Sequence, residues 1–268
     1  MTGSVGPADL LRRRVAEDPS RPFVTFYDDA KGERVELSAK TFDNWVAKTA
    51  NLLVDDFAAE PGTRVVLALP QHWQTAVWLM ACWSAGLVAR PVEPGGPFEA
   101  EGPYILAVAE EAIGGALGDP DAEEVVGLSL HALGGPLADC PPGVSDYAVE
   151  VRAHGDRFVP DPAVTPDLPA LNVTKTTLTA AALVAEARDT AGRWELDANS
   201  RVLVDMSFAT LDGVLAGLMA PLASGASVII QRNSNETALE RRVSVEHVTA
   251  VAGLNGWNDP SGSLRRLG

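Results

Sequence analysis

The residues best suited to hold an anion are Thr174, Lys175, Thr176 and Thr177, which stand between a short apolar strand at 170–173 and an alanine-rich helix expected over 178–192. Free N–H groups and the dipole at a helix N-terminus favour negative charge, and the Lys175 ammonium would reinforce them. A second segment of interest, 208–212, follows the apolar run 201–206 and carries Phe208, Thr210 and Asp212. Ligands of open α/β sheets bind outside the carboxyl ends of the strands. Two neighbouring strands, 170–173 and 201–206, are therefore expected to bring both segments to one edge. A purely structural alternative stays open, in which Thr176 or Thr177 caps the helix and Phe208 belongs to the core.

Other chemistries find less support. His72, His131, His154 and His247 have no metal-ligand spacing among themselves or with Cys82 and Cys140, so no metal site is expected. His72 reads as a capping or surface residue. No GxSxG elbow and no GxxxxGK[ST] loop occurs. Gly114-Gly115-Ala116-Leu117-Gly118 lacks the spacing of a dinucleotide loop and reads as the end of a helix. No catalytic residue is nominated.

The elements that must position these residues are organised around 201–231. RVLVDM and ASVIIQ are buried-strand runs, and Leu211, Val214, Leu215, Leu218, Met219 and Leu222 between them recur at helical spacing. Pro221 and Gly225 suit the end of that helix, so the unit is strand, crossover helix, strand. Upstream, 22–27 and 33–37 read as a hairpin, followed by an amphipathic helix with Phe42, Trp45 and Val46 on one face. Strands are expected at 64–70, 87–92, 104–108 and 125–130, with an apolar helix at 71–86 and an edge strand at 147–152. The pattern predicts a first α/β subdomain over 1–160, a second, partial one over 161–254, and a polar tail at 255–268.

A length of 268 residues with 46% hydrophobic content supports a sizeable core. The formal charge of −15 opposes binding to nucleic acid and to anionic membrane surfaces. Two cysteines without a CxxC spacing, no apolar leader in the first residues and no long apolar stretch point to a cytoplasmic protein.

Three stretches, taken in order, resemble the N-terminal domain of the adenylate-forming superfamily of acyl-CoA synthetases, adenylation domains and luciferases. They are DPSRPFVTFYDDAKGERVELSAKTFDNWVAKTANLL, PGTRVVLALPQHWQTAVWLMACWSAGLVARPVEP and RVLVDMSFATLDGVLAGLMAPLASGASVIIQ. The resemblance implies a doubly wound α/β fold with largely parallel sheets and flanking helices. It also implies a glycine-rich TSGTTGxPKG loop around the phosphates of ATP, and here the matching segment is LPALNVTKTTLTAAAL. Thr174, Lys175, Thr176 and Thr177 are its remnant, without the glycines that let backbone amides wrap a triphosphate. The family's Y-G-x-T-E motif, ribose-binding Asp and catalytic-Lys domain do not occur in the sequence, and Thr210 stands where many members have His. Phe208 matches a region that walls the acyl or aryl pocket in the family.

The expectation is a catalytically degenerate relative, a pseudoenzyme that binds a small carboxylate, acyl or nucleotide ligand or regulates a protein partner. Use of ATP and Mg by the chain alone is not expected. The alternatives are a ligase half that forms acyl-adenylates only with a separate chain, and an unrelated enzyme on the same scaffold.

Overall fold

The computed structural model of the chain describes residues 5–98, 102–259 and 262–268. Helix α1 (Pro7–Glu17) leads into a hairpin of β1 (Pro22–Asp28) and β2 (Glu33–Ser38). Ser38 then accepts the Thr41 amide and starts α2 (Ala39–Asn51), which runs on into a π turn at Leu52–Asp56. An α/β alternation follows through β3 (Arg64–Ala68), α3 (Trp73–Ser84), β4 (Val88–Pro91), β5 (Tyr104–Ala109), α4 (Ile113–Ala116) and β6 (Ala122–Leu128). After β7 (Ser145–Asp146) and α5 (Tyr147–Glu150) come β8 (Pro169–Val173), β9 (Thr176–Thr179) and α6 (Ala180–Arg193). Next, β10 (Arg201–Val204) leads to α7 (Leu211–Val214), which passes through a π turn into α8 (Ala220–Ser224). The chain finishes with β11 (Ser227–Arg232), α9 (Glu236–Val245), β12 (Ala250–Ala252) and β13 (Arg265–Leu267).

Two mostly parallel sheets result. One has the order β13-β12-β10-β11-β1-β2 and the other β7-β6-β5-β3-β4-β8-β9. Alternate residues explain the layering, because successive side chains of a strand point to opposite faces. Val24, Phe26, Val202, Val204, Val228 and Ile230 of the first sheet share one core with Val65, Leu67, Ile105 and Leu171 of the second. Helices α2, α3, α6 and the 211–224 helix fill the space between them, and α3 is apolar on nearly every side because it is enclosed on every side. The outer faces carry smaller cores, Leu203, Ile229 and Val251 with Leu239 on one, and Val66, Leu106 and Val108 with Ile113 on the other. The strands expected at 64–70, 87–92, 170–173, 201–206 and 226–231 are all present and all in parallel pairings.

Four expectations need correction. The run 147–152 is helical, not an edge strand, because Asp146 accepts the amides of Ala148 and Val149 as an N-cap, and Tyr147 and Val151 point inward four residues apart. Thr176 and Thr177 lie in strand β9, paired with Val173 and Asn172, while the helix begins at Ala180 with Thr179 as its cap. The strands 170–173 and 201–206 are not neighbours, since β8 lies between β4 and β9 and β10 between β12 and β11. Within 255–268, expected as a polar tail, Arg265–Leu267 extend the first sheet and Trp257 is buried. Strands β7 and β8, on either side of residue 160, belong to the same sheet, and Val24–Asp28 of β1 pair with Val228–Arg232 of β11 across most of the chain's length.

Candidate functional site

The remnant segment forms the tip of an antiparallel hairpin. Val173 pairs with Thr176, so Thr174 and Lys175 are the only turn residues, and Asn172 donates to the Thr177 hydroxyl at 2.9 Å. Thr174 adopts φ +54°, a left-handed conformation that a β-branched residue rarely takes. Thr174, Lys175, Thr176 and Thr177 are all exposed. Amides along a strand alternate in direction, so those of β9 diverge rather than converge on one anion.

The second segment is locked by close approach. Ser207 takes two bonds from Thr210, whose amide and hydroxyl both donate to its carbonyl, and Thr210 in turn accepts the Gly213 amide at 3.0 Å as the helix cap. A Cβ on Gly213 would sit 1.8 Å from the Ser207 carbonyl oxygen, and one on Gly217 would sit 2.7 Å from the Phe208 ring. Phe208 is thus a core residue, seated over a bare stretch of helix backbone, while Thr210 and Asp212 are exposed. The structure brings Phe208, Thr210 and Asp212 together in one turn but leaves the 174–177 hairpin on the other sheet.

Residues that the sequence did not single out gather at the carboxyl edge of the first sheet. Asp205 accepts from Ser234 at 2.7 Å and Gln231 at 3.2 Å, and buried Asp28 accepts from Asn233 at 2.9 Å and the Ala30 amide at 3.0 Å. Arg242 donates to Gln231 and Asp29 and lies 4.1 Å over the Tyr27 ring. These groups come from four separate segments, and only the pairing of β1, β10 and β11 makes them neighbours. Beside this group Glu246 accepts from Tyr27, Arg34 and Arg201. Burial raises a carboxyl's pKa, but the bonds from Arg34, Tyr27 and Arg201 outweigh that and hold Glu246 down at about 2.

His72 caps α3, as expected, yet it is not on the surface. Its Nδ1 accepts the Gln74 amide at 3.2 Å, its ring lies 4.3 Å from that of Phe26, and Nε2 is buried without a partner. Among the described residues no group of three or more His, Cys, Asp and Glu side chains is placed to hold a metal. No helix of the described residues is long and apolar enough to cross a membrane. A groove of about 560 Å³ runs between α1, α2 and 156–160 and takes no residue from either expected segment.

Comparison with known proteins agrees with this architecture. The AMP-binding enzyme family matches residues 11–113. An acyl-CoA synthetase from Brucella canis superposes with a TM-score of 0.78 at 14% identity, over 94% of this chain and 48% of its own. Acetoacetyl-CoA synthetase from Streptomyces lividans gives 0.78 at 18% identity, over 92% of this chain and 42% of its own. The chain thus spans a little under half the length of these synthetases, and at such identities the likeness is one of fold. A Mycobacterium tuberculosis (strain ATCC 25618 / H37Rv) protein described as a TIGR03089 family protein is 42% identical over 242 residues, covering 90% of this chain and 96% of that protein. With β1–β2, β3–α3–β4 and β10–α7–β11 in the order of an adenylate-forming N-terminal domain, the chain belongs to the TIGR03089 family and has the fold of that domain.

Proposed function

We propose that the protein is a non-catalytic relative of acyl-CoA synthetases that binds a small carboxylate, acyl or nucleotide ligand, or regulates a partner through such binding. One observation carries this reading: the segment matching the family's phosphate loop is a two-residue turn between paired strands. Adenylation depends on fixing the α-phosphate and offsetting the charge that develops on it. Convergent amides do that in a glycine-rich loop, and a β-hairpin has none to offer. The exposed side chains of Lys175, Thr176 and Thr177, and of Thr210 and Asp212, are where we place ligand contacts. A cytoplasmic location fits this reading, with Cys82 and Cys140 both free.

The test is ATP–pyrophosphate exchange by the purified chain with a panel of carboxylic acids, beside a thermal-shift screen of nucleotides, acyl-CoAs and carboxylates. Exchange should stay at the no-enzyme blank. A true ligand at a hundredfold excess over its Kd should stabilise by about 2.7 kcal/mol. Exchange above the blank that Lys175→Ala removes would overturn the proposal. So would a screen in which no compound shifts the transition.

A further inference from the structure

Arg14 is only 3% exposed, and its Nε and Nη2 atoms are buried without hydrogen-bond partners. A guanidinium carries five N–H donors and stays charged, so leaving it buried without acceptors is costly. Most buried charges are paired. Here the nearby carboxylates are otherwise placed. Asp18 is occupied by Ser20 and the Arg21 amide, and Glu17 is exposed and makes no bond to Arg14.

The same side chain lines a cavity of about 290 Å³ between α1, α6 and the end of α8, together with Arg13, Arg188 and Glu17. Leu10 and Leu222 supply apolar wall on the same cavity. Three guanidiniums against one carboxylate leave a local excess of two positive charges, on a chain whose formal charge is −15. The last turn of α8 also borders the cavity and favours a cation, but a helix terminus amounts to only about half a charge. Arg21, whose guanidinium donates to the Ala198 carbonyl on the cavity wall, adds positive charge nearby, and Asp18 opposes it with a negative one, so the excess rests on the lining arginines. Burial first, and then repulsion from Arg21, lowers the pKa of Arg14, which an anion in the cavity would reverse.

We infer that this cavity is a binding site for a dianionic oxyanion of the phosphate class, with Arg14 at its base and Arg13 and Arg188 at its mouth. Guanidinium forks match phosphate oxygens, and the local charge excess matches a dianion. The site lies apart from the 174–177 hairpin and the 205–213 turn, so its fate is independent of the function proposed above.

Isothermal titration with inorganic phosphate, against chloride at equal ionic strength, tests it on the full chain. The expected result is one saturable site in the millimolar range or tighter. Arg188→Ala and Arg13→Ala, both at exposed positions, should weaken it at least tenfold. Arg14→Met should abolish it while melting no lower than wild type in phosphate-free buffer. A tighter fit for glycerol phosphate than for inorganic phosphate would assign the apolar wall to an ester's carbon, and equal affinities would assign the site to free phosphate; both uphold it. Heat that does not saturate, or binding unchanged in Arg188→Ala and Arg13→Ala, would overturn it.

Discussion

Protonation of His72 should make the fold acid-sensitive in a narrow and measurable way. The imidazole is 1% exposed, lies against Phe26 and Trp73, and uses Nδ1 as an acceptor for the Gln74 amide. That bond requires a bare Nδ1, so the folded ring is the neutral Nε2–H tautomer. Adding a proton would turn the cap's acceptor into a second donor and leave a cation in an apolar layer. Burial, and then the positive charges of Arg232 and Lys31, hold the folded pKa well below the ordinary 6.5. The sign follows from linkage. The unfolded chain takes up the proton first, so the stability is fully present above pH 6.5 and is lost as pH falls below it, until the folded pKa is reached.

The magnitude comes from the same relation. Between about pH 7.5 and about pH 5.5, one histidine of ordinary unfolded pKa that stays neutral when folded removes about 1.4 kcal/mol. Urea unfolding of the wild type and His72→Asn at those two pH values isolates the term, because other titrations cancel in the difference. Asparagine can still cap α3 but carries no titrating group. The variant should be less stable at the higher pH, where it loses ring packing, and the gap should narrow by about 1.4 kcal/mol at the lower one. An equal gap at both would refute the reasoning and mean that His72 reaches solvent or an unseen acceptor.

Three other changes probe different parts of the argument. Gly213→Ala places a methyl 1.8 Å from a backbone oxygen, so urea unfolding should show a loss of roughly 2–3 kcal/mol. Glu246→Gln strips the anion shared by Arg34, Arg201 and Tyr27 and should lower stability by about 3 kcal/mol at neutral pH. Because the folded carboxyl is held at about 2, that difference should be present above the ordinary 4.5 and fade as pH falls towards 2, which acid titration of both proteins would record. Thr174→Gly relieves a left-handed β-branched residue, and thermal melting should show a gain of about 1 kcal/mol.

Much of the fold was legible because its signals are local. The runs 64–70, 201–206 and 226–231 are continuous and apolar, as strands buried on both faces must be, and the helix at 71–86 is apolar all round because layers enclose it. What sequence could not supply was which strands share a sheet. β1 and β2 lie at the start of the chain and complete a sheet whose other strands come after residue 200. Such pairing is a tertiary choice with no signature in either strand. The run 147–152 misled for a related reason: Tyr147, Val149 and Val151 alternate like a strand, but Asp146 beside them caps a helical turn, and Val149 is left exposed.

The candidate site was less legible, and a single physical ambiguity accounts for it. A polar threonine-rich stretch between a strand and a helix suits a phosphate-binding turn, a cap or a hairpin equally well. Thr174-Lys175-Thr176-Thr177 has no glycine to favour the first, and Thr179, one turn later than expected, captures the Ala182 amide and takes the capping role. With the helix start displaced to Ala180, the intervening residues fold back on β8 and pair with it. The same displacement removes free helix amides from Lys175, so an anion met there would be held by one exposed ammonium. At Arg14 the balance is reversed: the charge is buried, its donors are unspent, and two further guanidiniums stand at the cavity's mouth. Desolvation strengthens each electrostatic contact and removes the competing water. On physical grounds, then, a phosphate titration should find the α1 cavity before it finds the hairpin, and Lys175→Ala should leave that heat unchanged while Arg188→Ala diminishes it.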